Sequence, residues 1–353
     1  MRAMRLMLVA LPIAIAAEVL HWHDTMLFVA SAIAIIPLAA ILSEATEALA
    51  ERTGPRIGGL LNATLGNAAE LIIVVVAINA GRTELVKASI VGSILGNLLL
   101  VLGFSLLLGG LKNGVQRFDR SKVTIDATMT ILAAIVISVP SLFISEIGDD
   151  FVRVESLSLL TAAVVMLLYI ASIVYTLRES ADDRRYGPVI EPSHNGPDWS
   201  PAVATGIMAV AVVGIAVMSE YLVASLDSVT HTMGLSEFFV GIIVVPIIGN
   251  VAEHTVAVKV AMEDKMDLSL AIAFGSSLQI ALFVAPMVVF LSLLIGHPVN
   301  LEFTTPEVVA SIAASIIAAM VAFDGRSNWL EGAMLLVVYL ILAVGFFYLP
   351  GAM

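Results

Sequence analysis

The chain of 353 residues contains no cysteine, and only 13% of its residues are charged. The absence of cysteine excludes disulfide bonds and metal sites with thiolate ligands. A soluble domain usually carries about 25% charged residues, so the low charge content argues against a soluble protein. The net charge of −12 at pH 7 argues against a nucleic-acid partner, because the nucleic-acid backbone is itself negatively charged.

Long apolar runs take the place of the missing charges. Hydrophobic residues make up 59% of the chain, and the mean hydropathy is +1.02. Runs of about twenty apolar residues are long enough to cross the hydrocarbon core of a bilayer. Hydropathy therefore predicts an all-α polytopic membrane protein with about 11 transmembrane helices. The predicted spans lie near residues 4–20, 25–50, 56–80, 84–110, 124–144, 154–177, 201–228, 236–261, 267–295, 305–323 and 328–349.

The distribution of lysine and arginine predicts the orientation of these helices. With the N-terminus in the cytoplasm, all but three of the 17 basic residues lie at cytoplasmic helix ends or loops, and only Arg82, Lys87 and Arg153 lie outside. Such a bias is typical of cytoplasmic loops. We expect a cytoplasmic N-terminus and an external C-terminus.

Two short motifs, "GNAAEL" at residues 66–71 and "GNVAEH" at 249–254, are related by a shift of 183 residues. The same shift, without a gap, pairs Gly92 with Gly275 and Ser93 with Ser276. Matches of Gly, Asn, Glu and Ser are harder to obtain by chance than matches of leucine, so we interpret the two halves as repeats.

The repeats predict the organisation of the chain. A first helix within residues 1–22 precedes a five-helix repeat at 25–177, a cytoplasmic linker at 178–200 and a second five-helix repeat at 201–350. Because five is odd, the two copies cross the membrane in opposite directions, an architecture typical of secondary transporters. The alternative is a duplicated scaffold in which the polar residues only hold helices together.

The repeated motifs place two carboxylates inside apolar spans. An uncompensated charge at such a depth costs about 2.5–3.5 kcal/mol on insertion scales. In each motif an asparagine lies three residues before the glutamate, on the same helix face, and a glycine favours a broken helix whose free carbonyls line a cavity. The candidate site consists of Gly66, Asn67, Glu70, Gly249, Asn250 and Glu253.

The chemistry of these groups favours a hard divalent cation. Carboxylate, amide and carbonyl oxygens suit Ca²⁺, which takes six to eight oxygen ligands. A zinc or copper site is disfavoured, since cysteine is absent and His254 is the only histidine nearby. Five further polar residues on the helices that follow the two motifs either complete the site or support the broken helices. These residues are Ser93, Asn97, Ser276, Ser277 and Gln279.

His254 follows Glu253 directly, and it has no counterpart in the first repeat, where Leu71 stands. Adjacent helix positions face about 100° apart, so a shared ligand role is disfavoured. Two interpretations remain open: a proton relay, since histidine titrates near neutral pH, or a packing residue.

The motifs resemble the paired signature repeats of the calcium/proton exchangers, a branch of the calcium/cation antiporter superfamily. The segments "GSILGNLLLVLG" at 92–103 and "GSSLQIALFVAP" at 275–286 add to the resemblance, which covers nearly the whole chain. It implies one peripheral helix followed by two inverted five-helix repeats, and it implies that Glu70 and Glu253 bind Ca²⁺ and exchange it for protons. The short prokaryotic form is expected, in the plasma membrane.

The resemblance also implies that acidic residues on the second and seventh helices line the ion pathways. Glu44 and Glu47 are the candidates on the second helix, and Glu220 is the candidate on the seventh. An interfacial glutamate in water is the alternative for each. Family members often have a long acidic run between the halves, whereas residues 178–198 carry mixed charge here, which puts calcium sensing by this loop in doubt.

The sequence thus predicts a Ca²⁺/H⁺ antiporter that normally exports cytosolic Ca²⁺, with Ca²⁺ as transported substrate and no cofactor. It predicts no enzymatic activity, because no nucleophile with a base and no His-Glu-x-x-His motif is present. A sodium/calcium exchanger of the same superfamily is one alternative, although it resembles a different signature, Gly-Thr-Ser-x-x-Glu. A Ca²⁺-permeable channel is the other alternative.

Overall fold

The computed structural model describes residues 6–147, 151–186 and 199–349. Within these ranges nine helices are long and apolar enough to cross a membrane. The prediction of a helical membrane protein is confirmed, whereas the predicted count of eleven spans is not. Two predicted spans correspond to shorter apolar helices, Met7–Val19 and Ala68–Asn79.

The first half of the chain is a series of helices that ends in the segment predicted as a linker. A 3₁₀ turn at Met7–Val9 opens it, and a π-helical turn at Gly96–Val101 joins α4 to α5. The elements are α1 (Ala10–Val19), α2 (Asp24–Leu65), α3 (Ala68–Asn79), α4 (Thr83–Leu95), α5 (Leu102–Asn113), β1 (Gln116–Arg117), α6 (Arg120–Ile147) and α7 (Phe151–Tyr186).

The second half repeats this pattern with two π-helical turns, at Val240–Val244 and Ile280–Val284. The first of them precedes α11, and the second joins α12 to α13. The elements are α8 (Pro201–Ala224), α9 (Leu226–Met233), α10 (Glu237–Phe239), α11 (Val245–Met262), α12 (Met266–Gln279), α13 (Ala285–Ile295), α14 (Thr305–Ala322), β2 (Arg326–Ser327) and α15 (Trp329–Phe347).

The largest departure from the predicted spans is α2, which runs for 42 residues. The loop expected near residues 51–55 is helical, and α2 takes up the first part of the predicted third span. Its packing along α8 is the most extensive between any two helices that the structure describes, with further packing against α11. Tertiary packing of this kind stabilises a helix against weak local propensity. The α7 helix likewise continues to Tyr186, into the predicted linker, of which residues 187–198 lie outside the described part.

Contacts between the halves show that the two repeats run in opposite directions. The span Thr83–Asn113 is 31 residues long, or about 45 Å at a rise of 1.5 Å per residue. Its first residue follows the turn that ends α3. At its other end, Asn113 Nδ2 donates to the carbonyl oxygens of Ala261 and Met262, where α11 ends. The equivalent helices α3 and α11 therefore end at opposite ends of the molecule.

Side chains at the helix starts fix several of these boundaries. Ser200 accepts from the amide of Val203, with proline at the first helical position of α8. Capping boxes start α14 at Thr304 and α15 at Asn328. Each cap satisfies amides that have no partner within the helix.

The two halves meet backbone to backbone where glycines remove the side chain. A Cβ atom at Gly92 of α4 would collide with the carbonyl oxygen of Ile242, in the π-helical turn before α11. A Cβ at Gly241 would lie 2.7 Å from the carbonyl oxygen of Leu85. These contacts hold α4, which carries Ser93, against the segment that leads into the second motif.

We therefore predict that Gly92→Ala destabilises the protein by about 1–3 kcal/mol, because overpacking forces the two backbones apart. Gly275→Ala, the equivalent change in the second repeat, is the matched control: a Cβ there meets nothing within 4 Å. Thermal unfolding in detergent measures the effect. An unfolding temperature of Gly92→Ala equal to that of Gly275→Ala would contradict the close contact.

Candidate functional site

Glu70 lies in the first turn of α3 and is 4% exposed. Its Oε1 accepts a hydrogen bond from Ser93 Oγ of α4, and it accepts a second from Asn250 Nδ2 of α11 at 2.5 Å. Asn250 and Ser93 are themselves 3.5 Å apart. The carboxylate of the first repeat is thus held by a hydroxyl of its own half and an amide of the other half.

Glu253 lies in α11 and is partly exposed. Its Oε2 accepts a hydrogen bond from Ser276 Oγ of α12. The shift of 183 residues carries the Glu70–Ser93 pair onto the Glu253–Ser276 pair, so the structure builds the same hydrogen bond twice. The two carboxylates lie close enough for a Coulombic interaction.

The two asparagines make different contacts. Whereas Asn250 donates to Glu70, Asn67 Nδ2 donates to Gln279 Oε1 at 2.6 Å. Gln279 is therefore one of the supporting residues that the structure brings to the site. Both of these side-chain amide hydrogen bonds join one repeat to the other, so each motif is completed by the opposite half.

The glycines of both motifs leave room for side chains of the opposite repeat. A Cβ at Gly249 would lie 2.8 Å from Glu70 Cγ. A Cβ at Gly66 would lie 3.2 Å from Gln279 Oε1 and 3.5 Å from Glu253 Oε1. A larger residue at either position would push a polar side chain of the other repeat away from the site.

Two buried oxygens at this point have no hydrogen-bond partner, Glu70 Oε2 and Asn67 Oδ1. A cavity of about 10 Å³ lies beside Glu70, Ser89 and Ser93, and that is close to the space one water molecule needs. No cluster of three or more His, Cys, Asp or Glu side chains suited to a metal occurs among residues 6–147, 151–186 and 199–349. The structure thus brings together two carboxylates, two side-chain amides that bond across the repeats and two serine hydroxyls.

The helix break expected at the glycines is present in one repeat only. α2 ends at Leu65 and α3 begins at Ala68, so the chain turns at Gly66 and Asn67. In the second repeat the expectation is wrong: α11 continues through Gly249 and Asn250. The irregular backbone lies earlier, in the turn at 240–244, and Pro246, two residues after that turn, lacks the amide that would continue a regular ladder. π-helical turns of this kind occur often at functional sites.

Two supporting candidates do not reach the carboxylates. Ser277 donates to the carbonyl oxygen of Ala273 within its own helix. Asn97 is 1% exposed in the turn at 96–101, and its Nδ2 has no hydrogen-bond partner. Both residues are buried beside the site without contributing a hydrogen bond to it.

The candidate pathway glutamates lie on α2 and α8 and differ in exposure. Glu44 of α2 is 8% exposed, and Glu47 is exposed. Glu220 of α8 is exposed and lines a cavity of about 540 Å³ together with Asn79 and Arg82. These positions leave the pathway roles as predictions.

His254 points away from the hydrogen-bonded cluster. It lines a groove of about 520 Å³ that continues along α11 to Lys259 and Glu263 and includes Lys112 of α5. Its buried Nε2 has no hydrogen-bond partner. The structure thus leaves both the relay and the packing interpretation open.

Sequence reasoning missed two residues near the site. Ser89 lines the small cavity, one helical turn before Ser93, but its equivalent under the shift is Ile272, so the repeat gave no signal. Arg82 was counted only as an external charge, although it lines the cavity of Glu220. The signal for Arg82 was its position in the turn directly after α3, the helix that carries Glu70.

Comparison with known proteins identifies the family of this chain. The model of the family described as "Sodium/calcium exchanger protein" matches the chain twice, at residues 23–178 and 203–348. The Ca(2+)/H(+) antiporter of Aphanothece halophytica is 40% identical over 359 residues, which cover 98% of this chain and 96% of the relative. The Ca(2+)/H(+) antiporter ChaA of Bacillus subtilis (strain 168) is 41% identical over 346 residues, which cover 96% of each chain.

A solved structure agrees with both the fold and the family. The structure of native YfkE superposes with a TM-score of 0.86 at 38% identity, covering 98% of this chain and 100% of the other. The resemblance to the calcium/proton exchangers is therefore confirmed. This chain belongs to the sodium/calcium exchanger protein family, beside relatives that are named Ca²⁺/H⁺ antiporters.

Proposed function

We propose that this protein is a secondary active antiporter, not an enzyme, which exchanges Ca²⁺ for H⁺ across the membrane by alternating access. The observation that carries the proposal is the pair of Glu–Ser hydrogen bonds, Glu70–Ser93 and Glu253–Ser276, built by inverted repeats around two carboxylates. The names of the relatives from Aphanothece halophytica and Bacillus subtilis support the same ions.

The exchange follows from charge compensation at the site. Bare carboxylates in a low-dielectric interior are strongly penalised unless a cation or a proton compensates them. Ca²⁺ held by Glu70 and Glu253 gives a nearly neutral site, and so do two protons. Because the state with two bare carboxylates is penalised, the site changes sides loaded with one or the other, with about two protons exchanged per Ca²⁺.

The unpartnered oxygens support a location for the cation within this cluster. Glu70 Oε2 and Asn67 Oδ1 accept no hydrogen bond although both are buried. A buried acceptor without a partner costs about 1–3 kcal/mol, and Ca²⁺, which binds hard oxygen ligands, removes that cost. We assign these two atoms, with Glu253, to the cation.

The orientation completes the proposal. With a cytoplasmic N-terminus, the turn beside Arg82 faces outward and the groove beside His254 faces the cytoplasm, in a prokaryotic plasma membrane. The positive-inside distribution of lysine and arginine supports this orientation. The proton gradient then drives Ca²⁺ out of the cell.

Uptake of radiolabelled Ca²⁺ into proteoliposomes tests the proposed ions. We expect an imposed pH gradient to drive uptake without sodium. Uptake that requires a sodium gradient would instead favour sodium/calcium exchange, which the family description includes. Flux that follows the Ca²⁺ gradient alone, whatever the proton gradient, would indicate a channel.

The first prediction concerns the carboxylates. Glu70→Gln and Glu253→Gln keep the shape and the serine contacts but remove one charge, so each abolishes Ca²⁺/H⁺ exchange while the protein stays folded. Exchange in proteoliposomes and thermal unfolding in detergent measure the two properties. Near-normal exchange by either variant would show that the site lies elsewhere.

The second prediction concerns the serine that orients Glu253. Removal of a hydrogen bond to a charged group costs about 1.5–3 kcal/mol, so Ser276→Ala should weaken Ca²⁺ affinity by roughly ten- to a hundredfold. Ser277→Ala is the matched control, since its neighbouring hydroxyl donates only within α12. The Ca²⁺ concentration for half-maximal exchange gives the answer, and equal values for both variants would contradict the assignment.

The third prediction concerns the pathways. Glu44 and Glu220 lie on equivalent helices of inverted repeats, so their removal should act from opposite sides. Glu44→Gln should weaken Ca²⁺ capture from the cytoplasm, and Glu220→Gln should alter Ca²⁺ release or proton uptake outside. The test is Ca²⁺ flux in oriented vesicles, with Ca²⁺ and proton concentrations varied at one face at a time. Identical effects from both faces would show that the functional symmetry of the repeats covers the central site alone.

A further inference from the structure

Two turns at opposite ends of the molecule are built alike. One joins α3 to α4 and contains Arg82; the other joins α11 to α12 and contains Lys265, the residue 183 positions later. Gly81 and Asp264, which precede them, have φ angles of 73° and 61°. The backbone hydrogen bonds that close the turns are also equivalent. They run from Gly81 N to Ile78 O, Arg82 N to Ala77 O, Asp264 N to Ala261 O and Lys265 N to Val260 O.

The two equivalent cations have different partners. Arg82 Nη2 lies 2.6 Å from Asp227 Oδ2 of α9, and Nη1 lies 3.4 Å from Glu237 Oε2 of α10. Arg82 therefore joins the first repeat to the second. Lys265 Nζ instead lies 2.9 Å from Glu263 Oε2, within its own turn. At the Lys265 end, the described residues contain no equivalent ion pair between this turn and α2.

The sequence nevertheless provides a partner for Lys265. Asp227 follows Glu220 by seven residues and lies in α9, the short helix that follows the second repeat's long helix. In the first repeat, Glu51 follows Glu44 by the same seven residues on α2. Glu51 is exposed. A shift of 176 residues thus pairs the carboxylate of Glu51 with that of Asp227. The shift of 183 residues pairs their cations, Arg82 with Lys265.

The surroundings of the central carboxylates also differ between the two ends of the molecule, as the ion pairs do. At the Arg82 end, the cavity beside Glu220 reaches Val75 and Val76 but not the central carboxylates, and Glu70 is 4% exposed. At the Lys265 end, the groove beside His254 runs toward the turn and likewise does not include a central carboxylate, but Glu253 is partly exposed. The ion pair between the repeats therefore lies at the end of α3, the helix that carries the more deeply buried carboxylate.

We propose that Arg82 and Lys265 are alternating latches, positioning residues that each close one end of the exchanger. Arg82 holds its end closed through Asp227 and Glu237, and Lys265 pairs with Glu51 when the opposite end closes. This inference rests on alternating access, which is part of the proposed function, but not on the identity of the exchanged ions.

The strength of the pair suits a device that must open in every cycle. The Arg82 and Asp227 side chains are 26% and 67% exposed, and partly exposed ion pairs contribute little in water. The hydrogen bond and charge of Arg82 hold the pKa of Asp227 below its usual range, so Asp227 stays ionised and available to the latch. A buried, fully desolvated pair would hold the end shut.

The absence of cysteine allows a direct test with a single introduced thiol. Val74 is 3% exposed and lies beside Glu70, behind the Arg82 latch. In proteoliposomes, a membrane-impermeant maleimide added at the Arg82 face should label Val74→Cys slowly. Arg82→Gln should raise that rate by about three- to fivefold, the change that loss of a partly exposed ion pair gives. The control is Arg117→Gln, which removes an exposed arginine at the other end and should leave the labelling rate of Val74→Cys unchanged.

Two further variants keep the test decisive if Arg82→Gln folds poorly. Asp227→Asn changes only an exposed partner and should raise labelling by a similar factor, whereas the charge swap Arg82→Asp with Asp227→Arg should restore slow labelling. A Glu51→Cys, Lys265→Cys pair should cross-link faster when Asp227→Asn is added, because loss of the Arg82 latch leaves the Lys265 end closed for more of the time.

Unchanged labelling of Val74→Cys in both Arg82→Gln and Asp227→Asn would overturn the latch, as would cross-linking that Asp227→Asn does not accelerate. These readouts require no Ca²⁺ flux. Failure of the unaltered protein to exchange Ca²⁺ for H⁺ would overturn the proposed ions instead, while the labelling rates would still decide the latch.

Discussion

Two carboxylates that lie near each other inside a membrane protein constrain everything built around them. Glu70 and Glu253 lie in spans suited to hydrocarbon, where a bare charge costs several kcal/mol. The structure gives each one a serine donor, and Glu70 receives the amide of Asn250 as well. These donors reduce the penalty without removing it. In the proposed function, a divalent cation or protons compensate the remaining negative charge.

The repeat supplies this arrangement by symmetry. Since each motif is completed by side chains of the opposite half, neither repeat can form the site alone. The glycines at 66 and 249 are part of the same arrangement, because they leave room for Gln279 and Glu70 from the other repeat. An inverted pair also gives two similar ends to one site, which is the geometric basis of access from alternate sides. The different pairing of Arg82 and Lys265 shows how two similar ends differ within one conformation.

The sequence was sufficient for the class of fold and for locating the cluster that the structure builds around Glu70 and Glu253. Hydropathy located the long helices, and matched Gly, Asn, Glu and Ser residues located the motifs. Local signals misplaced the helix boundaries near residues 51–55, because packing along α8 extends α2 beyond its apolar run. They also misplaced the irregular backbone of the second repeat, since α11 continues through Gly249 and the π-helical turn lies outside the repeated motif. Partners such as Gln279 for Asn67 depend on long-range packing, which no local pattern reports.

The account depends most on the claim that two carboxylates, acting together, couple the two ions. The most direct measurement is the number of protons released per Ca²⁺ taken up by the purified protein in liposomes, with the membrane potential clamped. If Glu70 and Glu253 both exchange their protons for one Ca²⁺, the ratio is two. A ratio of one would contradict the account, because one carboxylate would then stay protonated or bare throughout the cycle.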